Sequence, residues 1–323
     1  MNGISIVVCT FNGESRLKET LESIIKLKAE FPWEVLVIDN NSRDKSSEIS
    51  NLILSSYSVD FRIISEPKPG LTFARWRGVA ESKYDIILFC DDDNHLQEDF
   101  LIVGYEIFSK NPNCGILGSK GKKNILVKDP DWFERFSHSY AVGSLGKEDG
   151  AQPKGSYHYG ASCFFKKVAL EKLYELGFRS VLSDRTGSVL SSGGDVELCL
   201  AVQLLGFELW FDSRLVFDHF IEPHRLKWSY YLKLKEGIAS SFPLLESYRI
   251  DEFSRIKAFK FHIKREFWLA CKGIVKSGLL YFYSKDKIHQ VNFLTSKTKI
   301  ISYFKNKKKT IEAFERNRRI FSA

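Results

Sequence analysis

The sequence has no run of about 18 apolar residues, so no membrane-spanning helix is expected. Its six cysteines form no CxxC pair and no spacing typical of a metal site. They are therefore expected to be free thiols, mostly buried, in a reducing compartment. A strand-like apolar run begins at Ile4, so no signal peptide is expected. These absences predict a cytoplasmic protein, and contact with a membrane surface is left open.

Acidic residues are scarce only near the C-terminus. Residues 251–323 contain 18 Lys and Arg against 6 Asp and Glu, a net charge of +12. The first 250 residues contain 30 Lys and Arg against 34 Asp and Glu, a net charge of −4. The apolar content of 44% and the aromatic content of 14% exclude a disordered protein. An anionic partner, if there is one, is expected at the basic end.

The first 120 residues alternate short apolar runs with amphipathic segments. The predicted strands cover residues 4–9, 33–38, 61–65, 84–90 and 115–118, and the predicted helices cover 16–28, 46–54 and 100–108. This rhythm predicts an α/β fold with a mostly parallel sheet covered on both faces. Ligands of such sheets bind beyond the carboxyl ends of the strands.

The signals are weaker in the second half. Residues 120–160 are rich in Gly, Lys and Asp and are predicted to form loops. The further predicted elements are an apolar segment at 161–165, helices at 167–176 and from Gly193-Gly194 onward, and short strands at 208–211 and 215–217. After about residue 225 the composition becomes aromatic and basic.

Three consecutive carboxylates, Asp91, Asp92 and Asp93, follow the apolar run 86–89. Like charges at this distance repel each other, so the group favours a bound cation. Asp91 and Asp93 occupy alternate positions, can face the same side and can bind a hard divalent ion through oxygen. A solvated turn with helix-capping aspartates is the alternative at this point.

The string Gly70-Leu71-Thr72-Phe73-Ala74-Arg75-Trp76-Arg77-Gly78, followed by an apolar strand and Asp91-Asp92-Asp93, resembles the family 2 glycosyltransferases of the GT-A fold. The strand ends Val8-Cys9-Thr10-Phe11-Asn12 and Val37-Ile38-Asp39-Asn40-Asn41-Ser42 match the same family, in the same order. The resemblance extends over about 225 residues. It implies a GT-A domain at 1–228, with a nucleotide-sugar half at 1–119 and an acceptor half at 120–228. Residues 229–323 then form a basic, aromatic-rich helical extension.

The resemblance also implies roles for individual residues. A nucleotide-diphosphate sugar, with a UDP-sugar as the expected donor, would contact Thr10, Asn12, Asp39, Asn41, Gly70, Ala74, Arg75 and Asp92. Asp91 and Asp93 would bind Mn²⁺ or Mg²⁺, with His219 as a third ligand. The residues themselves leave simpler roles open: an ion pair between Arg75 and the aspartates, a turn at Asp39 and a structural histidine at 219.

The segment Gly193-Gly194-Asp195-Val196-Glu197-Leu198 is similar to the family's catalytic helix start. The resemblance implies that Asp195 is the general base of an inverting transfer to a hydroxyl of a glycan or lipid-linked saccharide. Gly194 stands where the family has glutamate, so Glu197 competes for this role, and helix capping is a third option for Asp195. Acceptor contacts are expected from the loops at 120–160 and 180–192. Arg225, in a segment similar to the end of the family's catalytic domain, is a candidate phosphate ligand.

The C-terminal end contains a basic amphipathic segment. Its apolar residues recur at helical spacing: Phe253, Ile256, Phe259, Ile263, Phe267, Ala270 and Ile274. Lysines lie between them, which suits the anionic inner face of the cytoplasmic membrane. Packing of the same helix against the catalytic body is the alternative. The basic residues 305–319 are expected to be frayed.

Other classes of protein fit the sequence less well. A sugar nucleotidyltransferase would have a Gly-rich loop with Arg and Lys after the first strand, and Thr10 to Glu14 do not form one. A nucleic-acid-binding protein would leave Asp39 and the three aspartates without a purpose, so no nucleic-acid partner is expected. A non-catalytic nucleotide-sugar-binding protein stays open because of Gly194.

Overall fold

The computed structural model describes residues 2–182 and 192–321. The strands are β1 Ile4–Thr10, β2 Trp33–Asp39, β3 Asp60–Ser65, β4 Ile86–Asp91, β5 Asn94–Leu96, β6 Cys114–Asn124, β7 Gly150–Ala151, β8 Cys163–Lys166 and β9 Glu208–Phe220. The helices are α1 Leu17–Ile24, α2 Ser46–Leu54, α3 Leu71–Glu81, α4 Phe100–Lys110, α5 Phe133–Phe136, α6 Lys167–Glu175, α7 Gly194–Leu204, α8 Trp228–Leu245, α9 Ile256–Ser284 and α10 Lys287–Phe321. Residues 183–191, most of the second loop expected to contact the acceptor, lie outside the described residues.

All the strands form one sheet in the order β3-β2-β1-β4-β8-β6-β9-β5, with β7 paired to β9. Strands β1 to β4 pair in parallel, as do β6 and β9. Strands β8, β5 and β7 run antiparallel to their neighbours. The sheet is mixed and mostly parallel with helices on both faces, which confirms the predicted fold class. It is continuous across the two predicted halves, because β4 pairs with β8.

Both faces of the sheet are buried. Ile4, Ile6 and Val8 pack with α1 and α4 on one face, and Val7 packs with α3 on the other. This two-sided burial explains why the strands are uninterrupted apolar runs. All six cysteines are free thiols, and four of them are buried.

The second half differs from the sequence-based expectation. Strand β6 continues to Asn124, into the region predicted as loop, and β9 is one strand instead of two. Between the two expected strands, the carboxylate of Asp212 has a hydrogen-bond donor nearby in the chain, since Arg214 donates from Nε to its Oδ1 at 2.9 Å. Strand β6 shifts register between Gly118 and Lys120, and pairing with β9 then resumes.

The C-terminal extension is a packed helical layer. Helix α10 continues to Phe321, so the prediction of a frayed end was wrong. The ring of Phe314 stacks on Phe259 with centroids 3.8 Å apart, and Asn317 donates from Nδ2 to the Ser247 carbonyl at 3.1 Å. These buried contacts hold the last turns of the helix.

The apolar stripe predicted for the membrane is mostly covered. Phe259, Ile263 and Ala270 are buried, and the first two belong to a cluster with Tyr303 and Phe314 of α10. This side of the helix therefore packs against the protein, which was the alternative to membrane contact in the sequence analysis. Among residues 2–182 and 192–321, no helix combines the length and the apolar character needed to cross a bilayer.

Candidate active site

Three strand ends meet at one edge of the sheet. Thr10 of β1 lies beside Asp39 of β2, and Cys9 lies beside Asp91 of β4. A cavity of about 1430 Å³ opens beyond this edge. One side is lined by the strand ends and the start of α3, and the other by α7, α8 and the segment 154–161. This is the edge at which parallel sheets bind ligands.

The three aspartates after β4 have different environments. Asp92 is buried, where its Oδ1 accepts from Arg16 Nε at 2.8 Å and its Oδ2 accepts from the Thr10 hydroxyl at 2.6 Å. Burial raises the pKa of Asp92, and Arg16 opposes that shift. Asp92 and Thr10 therefore tie β4 to β1. Arg16 was missed by the sequence reasoning, because nothing local connects it to position 92.

Asp93 faces His219. The Asp93 Oδ2 lies 3.3 Å from His219 Nε2 and 2.9 Å from Nη1 of Arg225. Because His219 Nδ1 lies 2.5 Å from the Tyr140 carbonyl, it must be the protonated donor. In a neutral ring, Nε2 is then an acceptor that faces a carboxylate oxygen. A metal ion between the two atoms would be bound by both of them.

The chemistry of these ligands suits a divalent ion. Asp91, Asp93 and His219 all line the cavity and provide two carboxylates and one imidazole. Within the described part of the chain, no three His, Cys, Asp or Glu side chains are grouped closely enough to hold a metal. The structure thus brings Asp93 and His219 together, whereas Asp91 Oδ1 lies 3.8 Å from Arg75 Nη2.

Arg75 lies between the aspartates and α7. Its guanidinium is buried, with Nη2 3.8 Å from Asp91 Oδ1 and Cζ 5.6 Å from the Phe89 ring centroid. A Cβ on Gly160 would lie 2.7 Å from Arg75 Nη2 and 2.8 Å from Asp195 Cβ. Gly160 therefore permits Arg75 and Asp195 to approach the same point.

The turn before α3 is held by Asn40. Its Nδ2 donates to the carbonyls of Glu66 and Lys68 at 3.0 and 2.7 Å, and its Oδ1 accepts from Gly70 N at 2.7 Å. Gly70 has φ 130°, a value that favours glycine. A Cβ on Gly78 would lie 2.3 Å from Val7 Cγ1, so that glycine lets α3 pack against β1. Sequence reasoning missed Asn40, although an amide directly after Asp39 at the end of an apolar run was a usable signal.

Asp39 does not line the cavity. Its Oδ1 accepts from Ser42 N at 2.9 Å and its Oδ2 accepts from the Ser47 hydroxyl at 2.5 Å. Asn12 joins the same loop through its N–H, which donates to Ser42 Oγ at 3.0 Å. Asn41 lines the cavity with a left-handed backbone, φ 65°. The expected contacts of these residues with a nucleotide stay predictions.

Asp195 lies in the first turn of α7 and lines the cavity. Its Oδ2 accepts from Gly160 N at 2.8 Å and its Oδ1 accepts from Val196 N at 2.9 Å. Gly193, with φ 116°, is the N-cap residue that precedes the helix. The carboxylate is therefore oriented by backbone donors beside the open space.

Glu197 lies on the other side of α7 and is 1% exposed. Its carboxylate accepts hydrogen bonds from the hydroxyl of Ser180, from Val181 N at 2.6 Å and from the Tyr248 hydroxyl at 2.5 Å. Burial raises its pKa, and these hydrogen bonds oppose that shift. Glu197 joins α7 to the C-terminal extension. Of the two candidate bases, this placement favours Asp195.

Comparison with known proteins identifies relatives of this chain. The chain is 25% identical over 177 residues to the poly-beta-1,6-N-acetyl-D-glucosamine synthase of Staphylococcus epidermidis. That match covers 53% of this chain and 41% of the synthase, so the chain matches less than half the length of this relative.

Solved structures share the fold at low sequence identity. The S. aureus TarS fragment 1–349 in complex with UDP-GlcNAc is 14% identical, with a TM-score of 0.54 over 95% of this chain and 92% of that one. The mannosyltransferase PcManGT from Pyrobaculum calidifontis, in complex with GDP-Man and Mn²⁺, is 14% identical. Its TM-score is 0.58, and the match covers 94% of this chain and 86% of that one. The profile of the family described as Glycosyl transferase family 2 matches residues 5–174, more than half of the sequence. The chain belongs to this family.

Proposed function

We propose that the protein is an inverting glycosyltransferase that moves a sugar from a nucleotide-diphosphate donor to a hydroxyl of a glycan or lipid-linked saccharide. The main support is that Asp195, Arg75, Asp93 and His219 line one cavity at the carboxyl edge of the sheet. Family membership supports the same reaction class. UDP-N-acetylglucosamine is the first donor to test. The name of the Staphylococcus epidermidis synthase contains N-acetyl-D-glucosamine, and the TarS fragment is described in complex with UDP-GlcNAc.

The donor half of the cavity suits a nucleotide. Arg75 is a buried cation beside the aspartates and can neutralise a diphosphate with its planar fork of donors. The N-terminus of α3, beginning after Gly70, adds backbone N–H groups at the same edge. Asn41 and Asn40 line the neighbouring wall. The predicted donor contacts Thr10, Gly70 and Ala74 also line the cavity.

A divalent ion, Mn²⁺ or Mg²⁺, would be held by Asp93 and His219, with Asp91 as a further carboxylate. Once bound, such an ion supplies positive charge that stabilises a leaving diphosphate. Arg225, now paired with Asp93, provides a second cation at the same place. The solved PcManGT complex includes Mn²⁺ by its description, which supports this choice of metal.

Asp195 would act on the acceptor. Its carboxylate can accept the proton of the attacking hydroxyl while the bond to the donor sugar forms and the bond to the diphosphate breaks. Attack from the side opposite the leaving group inverts the anomeric configuration. Gly160 N and Val196 N hold the carboxylate in place for this step.

Calorimetric titration of UDP and GDP, with and without Mn²⁺, tests the proposal. UDP is expected to bind more tightly with Mn²⁺, and Asp93→Ala should weaken this binding at least about tenfold, because a charged ligand is lost. The matched control is Asp60→Ala, at the start of β3, whose carboxylate pairs with Lys83. Absence of nucleotide binding, or unchanged affinity in Asp93→Ala, would contradict the proposal.

An anionic membrane surface is a second proposed partner, and the outer face of α9 supports it. This face consists of Phe261, Trp268, Val275, Leu279 and Phe282, which are 56–72% exposed. Their spacing places them on the side of the helix opposite the buried stripe. Exposed large apolar side chains in a row mark an interaction surface.

The charges beside the outer face indicate which surface fits. Lys257, Lys264, Lys272 and Lys276 are exposed next to it, and Glu266 is the only carboxylate between residues 256 and 285. A second copy of the chain would bring the same lysines and be repelled. An anionic bilayer would accept both the apolar side chains and the ammonium groups.

Co-sedimentation with phosphatidylglycerol vesicles tests the outer face. The double variant Phe261→Ser/Trp268→Ser should pellet several-fold less than the unmodified protein, because it loses much of the apolar area that enters the bilayer. The control is Leu52→Ser, an equally exposed leucine on α2. Equal pelleting of all three proteins, or a dimer that only the double variant loses, would refute the membrane assignment.

A further inference from the structure

The cavity extends past Asp195 to the C-terminal helices. Lys235, Ile238 and Phe242 line it from one face of α8, and Lys299 lines it from α10. Family resemblance gave no role to this end of the cavity.

The two carboxylates that line the cavity after the end of α8 already have a cationic partner, since Arg249 pairs with Glu246 at 3.1 Å and with Glu252 at 2.5 Å. Lys154, which also lines the cavity, pairs with Asp251 at 2.5 Å.

The two lysines of the cavity differ from Arg249 and Lys154. Lys299 Nζ lies 4.6 Å from the Phe242 ring centroid, a cation–π contact. Neither Lys235 nor Lys299 forms a salt bridge with a residue in 2–182 or 192–321. Burial and the charge of Lys299 lower the pKa of Lys235, so the two ammonium groups repel each other in a partly dry site.

Two repelling cations that line a cavity cost stability unless an anion joins them. We propose that Lys235 and Lys299 form an anion site that binds a phosphoryl group of the acceptor. A phosphomonoester has nearly two negative charges at neutral pH, which matches the two lysines. The proposal rests on the proposed function for the identity of the acceptor, but the binding of a phosphate can be tested without it.

The site is separate from the donor site. A Cβ on Gly193, at the start of α7, would lie 3.0 Å from Ser241 Oγ of α8, so the two helices touch close to Asp195. Lys235 lies six residues before Ser241, about 9 Å along the helix axis. An acceptor bound here would therefore present its hydroxyl to Asp195 and its phosphate roughly two helical turns away.

Calorimetry with sn-glycerol 3-phosphate tests this site in the presence of saturating UDP and Mn²⁺, which block the donor site. The unmodified protein should bind the probe. Lys235→Gln and Lys299→Gln should each weaken binding about tenfold, the usual cost of a lost charge-assisted hydrogen bond, and the double variant should abolish it. The matched controls are Lys233→Gln and Lys297→Gln, exposed lysines on the same two helices.

The outcomes separate the two proposals. Failure of UDP to bind the unmodified protein refutes the proposed function. Normal UDP binding with no probe binding, or with probe binding that the double variant retains, refutes the phosphate site alone. Binding of glucuronate as tight as that of glycerol phosphate, with the same dependence on both lysines, would overturn the assignment of phosphate in favour of a carboxylate. Because the change removes the repulsion between the two lysines, the double variant should melt at or above the temperature of the unmodified protein, which shows that these losses are local.

Discussion

The two sides of the cavity are built in different ways. The proposed donor side is formed by the ends of β1, β2 and β4, which a regular βα rhythm places side by side. The proposed acceptor side is assembled from α7, α8, α10 and the segment 154–161, which are far apart in sequence. Regular topology fixes the first side, and long-range helix packing fixes the second.

This difference predicts that the two sides can be damaged separately. Changes on the donor side should weaken nucleotide binding whatever the acceptor is. Changes on the acceptor side should leave nucleotide affinity intact and affect turnover or stability.

The largest expected effect is that of Asp195→Asn. The amide keeps the shape of the side chain but cannot take up the hydroxyl proton, so the rate of UDP release from the donor should fall about 10²–10⁴-fold. UDP affinity should stay within twofold, since the change lies on the acceptor side. Initial rates and calorimetry on the same preparation measure both quantities.

The anomeric configuration of the product is an independent check on the same step. Inversion is expected, and its determination by NMR does not depend on any variant. A retained configuration, or full turnover of Asp195→Asn, would remove Asp195 from the proposed mechanism.

The next effect is that of Glu197→Gln, and it should appear in stability. In either orientation the amide nitrogen would face a backbone N–H, that of Val181 or that of Leu182, at a cost of about 1–3 kcal/mol in the free energy of unfolding. Turnover per folded molecule should change little. Thermal melting against the exposed control Glu171→Gln measures the first effect, and a loss of turnover at normal stability would return Glu197 to the role of base.

The pair Asp195 and Glu197 also shows what the sequence can predict. The motif located both carboxylates at the start of α7. Two residues apart on a helix correspond to about 200°, so only one of them can face the cavity. Which one does so depends on Ser180 and Tyr248, which local sequence does not connect to α7.

The two faces of helix α9 show the same limit of sequence-based prediction. It has an apolar stripe on each side, and the stripe chosen from the sequence is the one that packs against Tyr303 and Phe314. Hydrophobic period predicts that a helix has an apolar face but not what covers it. Lys235 and Lys299 likewise come together only through the packing of α8 on α10.

The smallest effect is expected on the donor side, from Asn40→Ala. This change removes the amide that holds the carbonyls of Glu66 and Lys68 and the N–H of Gly70, so the turn before α3 loses its anchor. UDP affinity should fall several-fold, which corresponds to about 1 kcal/mol of binding energy spent on ordering the turn again. Ser42→Ala, in the neighbouring loop, is the control for a general loosening of this edge. If nucleotide affinity stays unchanged in Asn40→Ala while the phosphate probe binds less tightly, the assignment of donor and acceptor sides is reversed.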